Sequence, residues 1–117
     1  PKIIENSKVL QFINSPQKLD FVTNKHYSKI FEPSIGEILI PDYLLVPLLA
    51  FDKNLQRLGM GKGFYDKTID ALKIKNPNLK SFGIAFNFQQ SQQALPTLKT
   101  DLSLDYVATE TNFFIAK

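Results

Sequence analysis

The chain has 117 residues, 44% of them hydrophobic and 21% charged, with a formal net charge of +3 and no cysteine. That length sets a ceiling of one domain, residues 1–117, with a modest core, and the missing cysteines exclude disulfides, thiol nucleophiles and thiolate metal sites. No apolar stretch approaches the roughly 20 residues of a membrane span and no signal-peptide pattern opens the chain. The 13 lysines are scattered with no run of three, which reads as solvated charge and not as a nucleic-acid surface. A cysteine-free chain fits a reducing cytoplasm. The first residue is Pro1 and not methionine, so the chain is expected to be processed or part of something longer.

In chain order, Lys8–Ile13 predicts a strand closed by Asn14-Ser15-Pro16. Leu19–Thr23 is a weaker strand, and Glu32–Gly36 is a loop by its proline and glycine. Tyr43–Leu49 is the most apolar run, without alternation, and predicts a strand buried on both faces that leaves its ladder at Pro47. Asp52-Lys53-Asn54 is turn chemistry. From Phe64 to Lys75 the period is helical, with Tyr65, Ile69 and Leu72 on one face and Asn76-Pro77-Asn78 as the stop. Lys80–Phe86 and Asp105–Thr109 read as further buried strands. Phe12 and Phe31 read as core or pocket lining, and His26 as a surface loop residue.

Between the apolar strand and the helix lies Arg57-Leu58-Gly59-Met60-Gly61-Lys62-Gly63-Phe64-Tyr65-Asp66, which holds three of the five glycines and the only arginine. Closely spaced glycines let successive N–H groups turn toward one point and form a concave anion site. Arginine adds a planar, permanently charged donor fork, and a helix N-terminus adds partial positive charge. Strand, glycine loop, helix, strand is a βαβ order that places the loop at the carboxyl end of a central strand, where α/β sheets bind ligands. Neither the P-loop nor the dinucleotide spacing fits. A plain flexible turn is the alternative. Asp52 reads as a turn residue in preference to a metal ligand.

Leu45–Asp52 followed by Arg57–Asp66 resembles the signature of the 5-formyltetrahydrofolate cyclo-ligase family, with Gly83–Phe86, Gln89, Leu95-Pro96, Asp101, Leu104-Asp105 and Thr109-Glu110 following in that family's order. The resemblance implies an α/β fold, a three-layer α/β/α sandwich with a mostly parallel central sheet. It implies conversion of 5-formyltetrahydrofolate to 5,10-methenyltetrahydrofolate with ATP and Mg2+, releasing ADP and phosphate. Arg57, Leu58, Gly59, Met60, Gly61, Lys62, Gly63, Phe64 and Tyr65 would surround the ATP phosphates, with Met60–Phe64 also facing the reduced folate. Arg57 and Lys62 would neutralise developing charge, and Asp66 and Asp101 would hold magnesium. In the family's reaction the formyl oxygen attacks the γ-phosphate and a neighbouring ring nitrogen then expels phosphate. Such chemistry rests on positioning and charge neutralisation.

The pattern departs from the family at Phe64, where a tyrosine is usual, and at Leu98 and Thr100, where glutamate and histidine are common. Pro1 resembles a proline midway through the family's chain, so the family's N-terminal part is expected to be lacking. A sheet without its early strands exposes apolar faces, which predicts a homodimer or pairing with a missing N-terminal segment. The second functional reading is a truncated, catalytically weak or inactive nucleotide- or phosphate-binding module. No nucleic acid or membrane partner is expected.

Overall fold

The apolar run beginning at Tyr43 forms a strand over Tyr43–Val46 whose side chains alternate: Leu44 and Val46 are buried, whereas Tyr43 and Leu45 are 70% and 62% exposed. This corrects the expectation of burial on both faces. The cause is a sheet with one covered face in a computed structural model that describes residues 1–14, 21–34 and 36–117.

The elements, in order, are β1 (Lys2–Ile3), β2 (Leu10–Ile13), β3 (Phe21–Thr23), β4 (Phe31–Pro33), β5 (Ile38–Leu39), β6 (Tyr43–Val46), β7 (Ala50–Phe51), β8 (Arg57–Leu58), α1 (Phe64–Lys75), β9 (Lys80–Ile84), a 3-10 turn at Asn87–Gln89, β10 (Tyr106–Ala108) and β11 (Phe113–Ile115). The main sheet has the order β11-β10-β9-β6, with β9 parallel to both β6 and β10, and β11 antiparallel at the end. The architecture is therefore α/β with a mixed sheet. β6 is an edge strand of this sheet, not the central strand expected, although it does feed a βαβ unit through α1 to β9. Around it lie the antiparallel group β1-β2-β5 and the hairpins β3-β4 and β7-β8.

β6 ends at Val46, before Pro47, as proline's missing donor requires. Pro33 behaves differently. It closes β4 opposite Phe21, so Glu32 and Pro33 belong to a strand and not to the predicted loop, and an edge position tolerates the missing N–H. Leu19 and Asp20 of the weaker predicted strand, like Ile35 of that loop, lie outside the described residues.

Helix α1 forms where predicted. It lacks glycine and proline, carries Asp66 in its first turn and Lys73 and Lys75 in its last, and so complements the helix dipole at both ends. Asn76 leaves the helix and its N–H donates to the Leu72 carbonyl at 2.7 Å. Ile69 and Leu72 enter the core with Leu44, Val46, Phe51, Leu104 and Val107, and Phe12 packs against that cluster. Thr68 is fully buried, and its hydroxyl accepts from the Leu10 amide at 2.9 Å, tying α1 to β2. On the opposite face of the main sheet, Leu45, Phe82, Tyr106 and Ile115 stand in register across the four strands, with Phe82 stacked on Tyr106 at 4.6 Å. Among the described residues no helix covers that face.

Candidate functional site

The site is delivered by the β7-β8 hairpin. Asp52 closes it: one carboxylate oxygen accepts from the amides of Asn54 and Gln56 at 2.8 and 3.1 Å, and the other from Leu95 at 2.9 Å. Asp52 is 1% exposed with these acceptor sites filled, which is the turn role the sequence indicated. The hairpin carries Arg57 inward. Gly59 makes room for it, since a Cβ at that position would stand 2.6 Å from Arg57 Nη1.

Gly61 and Gly63 have φ of 77° and 69° with nothing within 4 Å of an added Cβ. Only glycine takes that conformation cheaply. Gly63 is the N-cap of α1 without a side-chain cap, and the amides of Gly61, Lys62 and Gly63 donate to no acceptor among the described residues. The loop therefore presents free N–H groups where the helix begins, the arrangement that suits a phosphate.

Beneath the loop, Arg57 Nη2 donates to Asp66 Oδ2 at 2.9 Å, with the side chains only 7% and 19% exposed. Asp66 Oδ1 takes a long hydrogen bond from the Leu102 amide at 3.4 Å, and Arg57 Nε is buried without a partner among the described residues. Arg57 Cζ lies 6.0 Å from the Tyr65 ring. Burial pushes the Tyr65 hydroxyl pKa up, and the Arg57 charge opposes that shift only in part. Asp101 Oδ2 accepts from the Leu98 amide at 2.7 Å. Because Leu102 bonds to Asp66, the two carboxylates predicted to hold magnesium sit on adjoining segments. No group of three or more His, Cys, Asp or Glu forms a metal cluster among the described residues. Asp66 spends one oxygen on Arg57 and takes only the long bond from Leu102 on the other, while Asp101 spends Oδ2 on the Leu98 amide; magnesium bound with phosphates needs only one or two carboxylates.

The predicted segment divides. Gly61, Lys62 and Phe64 line a cleft of about 910 Å³ between the glycine loop and the N-terminal strands. Tyr65 turns away into a smaller cavity of about 270 Å³ with Leu45, Pro47 and Ile84. Met60 is 83% exposed, Leu58 is exposed, and Arg57 is buried below them. The far wall of the cleft was not anticipated. Lys62 Nζ lies 4.1 Å from the centroid of the Tyr27 ring, and Phe64 meets the same ring edge-on at 6.3 Å. Buried Asn24 and Glu32 support this wall, and Lys2, Lys8 and Lys25 add positive charge to it. His26 also reaches the cleft while remaining exposed, 4.0 Å from Glu5. Asn24 is followed by Lys-His-Tyr, and an asparagine that caps the next amides was the one local signal for this wall.

The sequence matches the 5-formyltetrahydrofolate cyclo-ligase family over residues 12–110. The 5-formyltetrahydrofolate cyclo-ligase of Escherichia coli strain K12 is 35% identical over 105 residues, which cover 86% of this chain and 55% of that protein. Its counterpart of the same name from Haemophilus influenzae is 40% identical over 80 residues, 64% of this chain and 41% of that one. A solved 5,10-methenyltetrahydrofolate synthetase from Mycoplasma pneumoniae aligns with a TM-score of 0.54 and 31% identity, over 67% of this chain and 46% of that structure. The chain spans about half the length of the curated relatives it matches.

Proposed function

The chain belongs to the 5-formyltetrahydrofolate cyclo-ligase family, and from that premise we propose that it carries the phosphate-binding part of an ATP- and Mg2+-dependent enzyme that cyclises 5-formyltetrahydrofolate to 5,10-methenyltetrahydrofolate, releasing ADP and phosphate. The observation that supports this most is the pair of left-handed glycines, Gly61 and Gly63, whose loop offers unused amides at the start of α1 on the wall of a large cleft.

Each residue has a role suited to phosphoryl transfer, in which positioning and charge neutralisation do most of the catalytic work. The amides of Gly59, Gly61 and Gly63 cradle phosphate oxygens. Lys62 and the Arg57 guanidinium offset the charge that builds as the formyl oxygen takes the γ-phosphoryl group. Met60–Phe64 face the folate, with Phe64 giving an apolar ring to the cleft. Asp66 and Asp101 are the residues that would hold magnesium, which when bound neutralises phosphate charge. Asp66 would share its carboxylate between this role and Arg57.

The exposed face of the main sheet fits the three-layer sandwich implied by the resemblance. Its row of Leu45, Phe82, Tyr106 and Ile115 is the kind of surface that a second helical layer covers in a sheet with parallel strands. Further polypeptide, comparable to the half of the relatives this chain does not match, or a second copy would supply that layer. A cytoplasmic setting suits the cysteine-free composition.

The test is ATP-dependent appearance of the methenyl product from 5-formyltetrahydrofolate, run with the chain alone and with the unmatched half of the E. coli relative added. Product in either arm that disappears without ATP supports the enzyme reading. ATP binding with no product in either arm favours the second reading, a phosphate-binding module, which the uncovered sheet face also favours. Neither binding nor product refutes both.

A further inference from the structure

We infer that Tyr27 is a positioning residue for Lys62, holding its ammonium against the cleft wall beside the free amides of the glycine loop; this rests on the nucleotide reading above. Lys62 lies between Gly61 and Gly63, so its backbone is tethered on both sides by the residue type that restricts the chain least. No carboxylate among the described residues pairs with it. A long side chain on such a loop samples many rotamers, which dilutes its charge at any one point. The Tyr27 ring supplies the missing constraint, with Lys62 Nζ 4.1 Å from its centroid, within the range where a ring quadrupole attracts a cation.

Tyr27 is itself held by a built support. Asn24 Oδ1 accepts from the amides of His26 and Tyr27 at 2.9 and 3.0 Å, and the Tyr27 carbonyl accepts from Ile30 at 2.8 Å. Asn24 Nδ2 in turn donates to Glu32 Oε2 at 3.1 Å, which also accepts from the Ile3 amide at 2.9 Å. Asn24 and Glu32 are both buried, so the turn is anchored to β1 and β4. Phe64 packs edge-on against the ring at 6.3 Å and fixes it relative to the first residue of α1. One ring thus ties the N-terminal wall to the loop through its only cation.

The experiment reads the contact and its consequence separately on the full chain. The Lys62 ε-methylene resonance, assigned with Lys62→Arg, is expected upfield of the exposed lysines through the Tyr27 ring current. It should return to their position in Tyr27→Leu and stay upfield in Tyr27→Phe. Titration with ATP should show Tyr27→Leu binding about two- to fivefold more weakly, Tyr27→Phe close to wild type, and Tyr27→Leu/Lys62→Gln no weaker than Lys62→Gln alone. A wild-type Lys62 resonance among the exposed lysines overturns the inference, even if Tyr27→Leu fails to fold. So do losses at Tyr27 and Lys62 that simply add. An upfield resonance that follows the ring, in a chain that binds no ATP either alone or with the unmatched half of the E. coli relative added, upholds the positioning and rejects the nucleotide reading.

Discussion

Replacing Gly59 with alanine isolates what holds Arg57 in place. The new Cβ would stand 2.6 Å from Arg57 Nη1, closer than real atoms approach, so the guanidinium must move. A surface arginine would swing aside at little cost. This one is 7% exposed and donates to Asp66 at 2.9 Å, so movement stretches a charge-assisted hydrogen bond in a confined space. Such bonds contribute about 1.5–3 kcal/mol. With a urea slope of about 1.5 kcal/mol/M for a domain of this size, Gly59→Ala should lower the unfolding midpoint by about 1–2 M. Gly61→Ala is the informative contrast: nothing lies within 4 Å of its Cβ, but φ is 77°. Its left-handed penalty, partly offset by the stiffer unfolded chain, leaves a net loss of about 1 kcal/mol. Both variants should weaken ATP binding, Gly61→Ala by tilting the loop amides and Gly59→Ala by displacing the guanidinium. If Gly59 acts through the ion pair, its effect on stability should shrink in an Asp66→Asn background. An unchanged midpoint for Gly59→Ala, or full additivity with Asp66→Asn, would refute the reasoning.

Asp66→Asn strands the buried Arg57 charge, and chemical denaturation should report a loss of about 2–4 kcal/mol; a neutral result would mean that the guanidinium finds another acceptor. Gly83→Ala forces a Cβ to within 2.6 Å of Leu48 Cδ2 and 2.7 Å of Leu104 Cδ1, so overpacking should cost about 1–3 kcal/mol while ATP affinity, measured by titration, stays at the wild-type value. Burial acts to raise the Asp105 pKa, but hydrogen bonds from the Ser81 amide and hydroxyl, with Lys73 and Lys80 nearby, outweigh it and bring the carboxyl below its ordinary value. A depressed folded-state pKa contributes stability that is fully present above the unfolded value of about 3.9 and fades as pH falls through the lower folded value. The stability gap between wild type and Asp105→Asn, followed by urea unfolding, should therefore hold steady above about pH 5 and narrow below about pH 4.

How far the sequence could be read follows from the range of each interaction. Helix α1 was legible in full because its period, its charged ends and its Asn-Pro stop all lie within its own residues. β9 and β10 were legible in position, each to within two residues at its ends, but not in burial: they were expected to be buried, whereas Ile84 is 62% exposed and Phe82 and Tyr106 stand on the uncovered face. The run from Tyr43 misled because both of its faces are apolar, so alternation in burial cannot show as alternation in polarity; the burial of Leu44 beside the exposure of Leu45 depends on which face α1 covers. β1, β5, β7 and β8 have two residues each, too few for a period of two to register. The left-handed glycines were foreseeable because a backbone constraint is local. The partners of the charged residues around them were not. Arg57 and Asp66 are nine residues apart, across a strand end, a loop and a helix start, and only the turn made by that loop brings them to 2.9 Å. Tyr27 reaches Lys62 from the turn between β3 and β4, some 35 residues earlier in the chain. The glycines thus do two separable things: at Gly61 and Gly63 they set the direction of the backbone, and at Gly59 the absence of a side chain makes the space the guanidinium fills. Composition alone reports three equivalent glycines. Which of them is conformational and which is steric appears only when Arg57 is seen folded back beneath the loop.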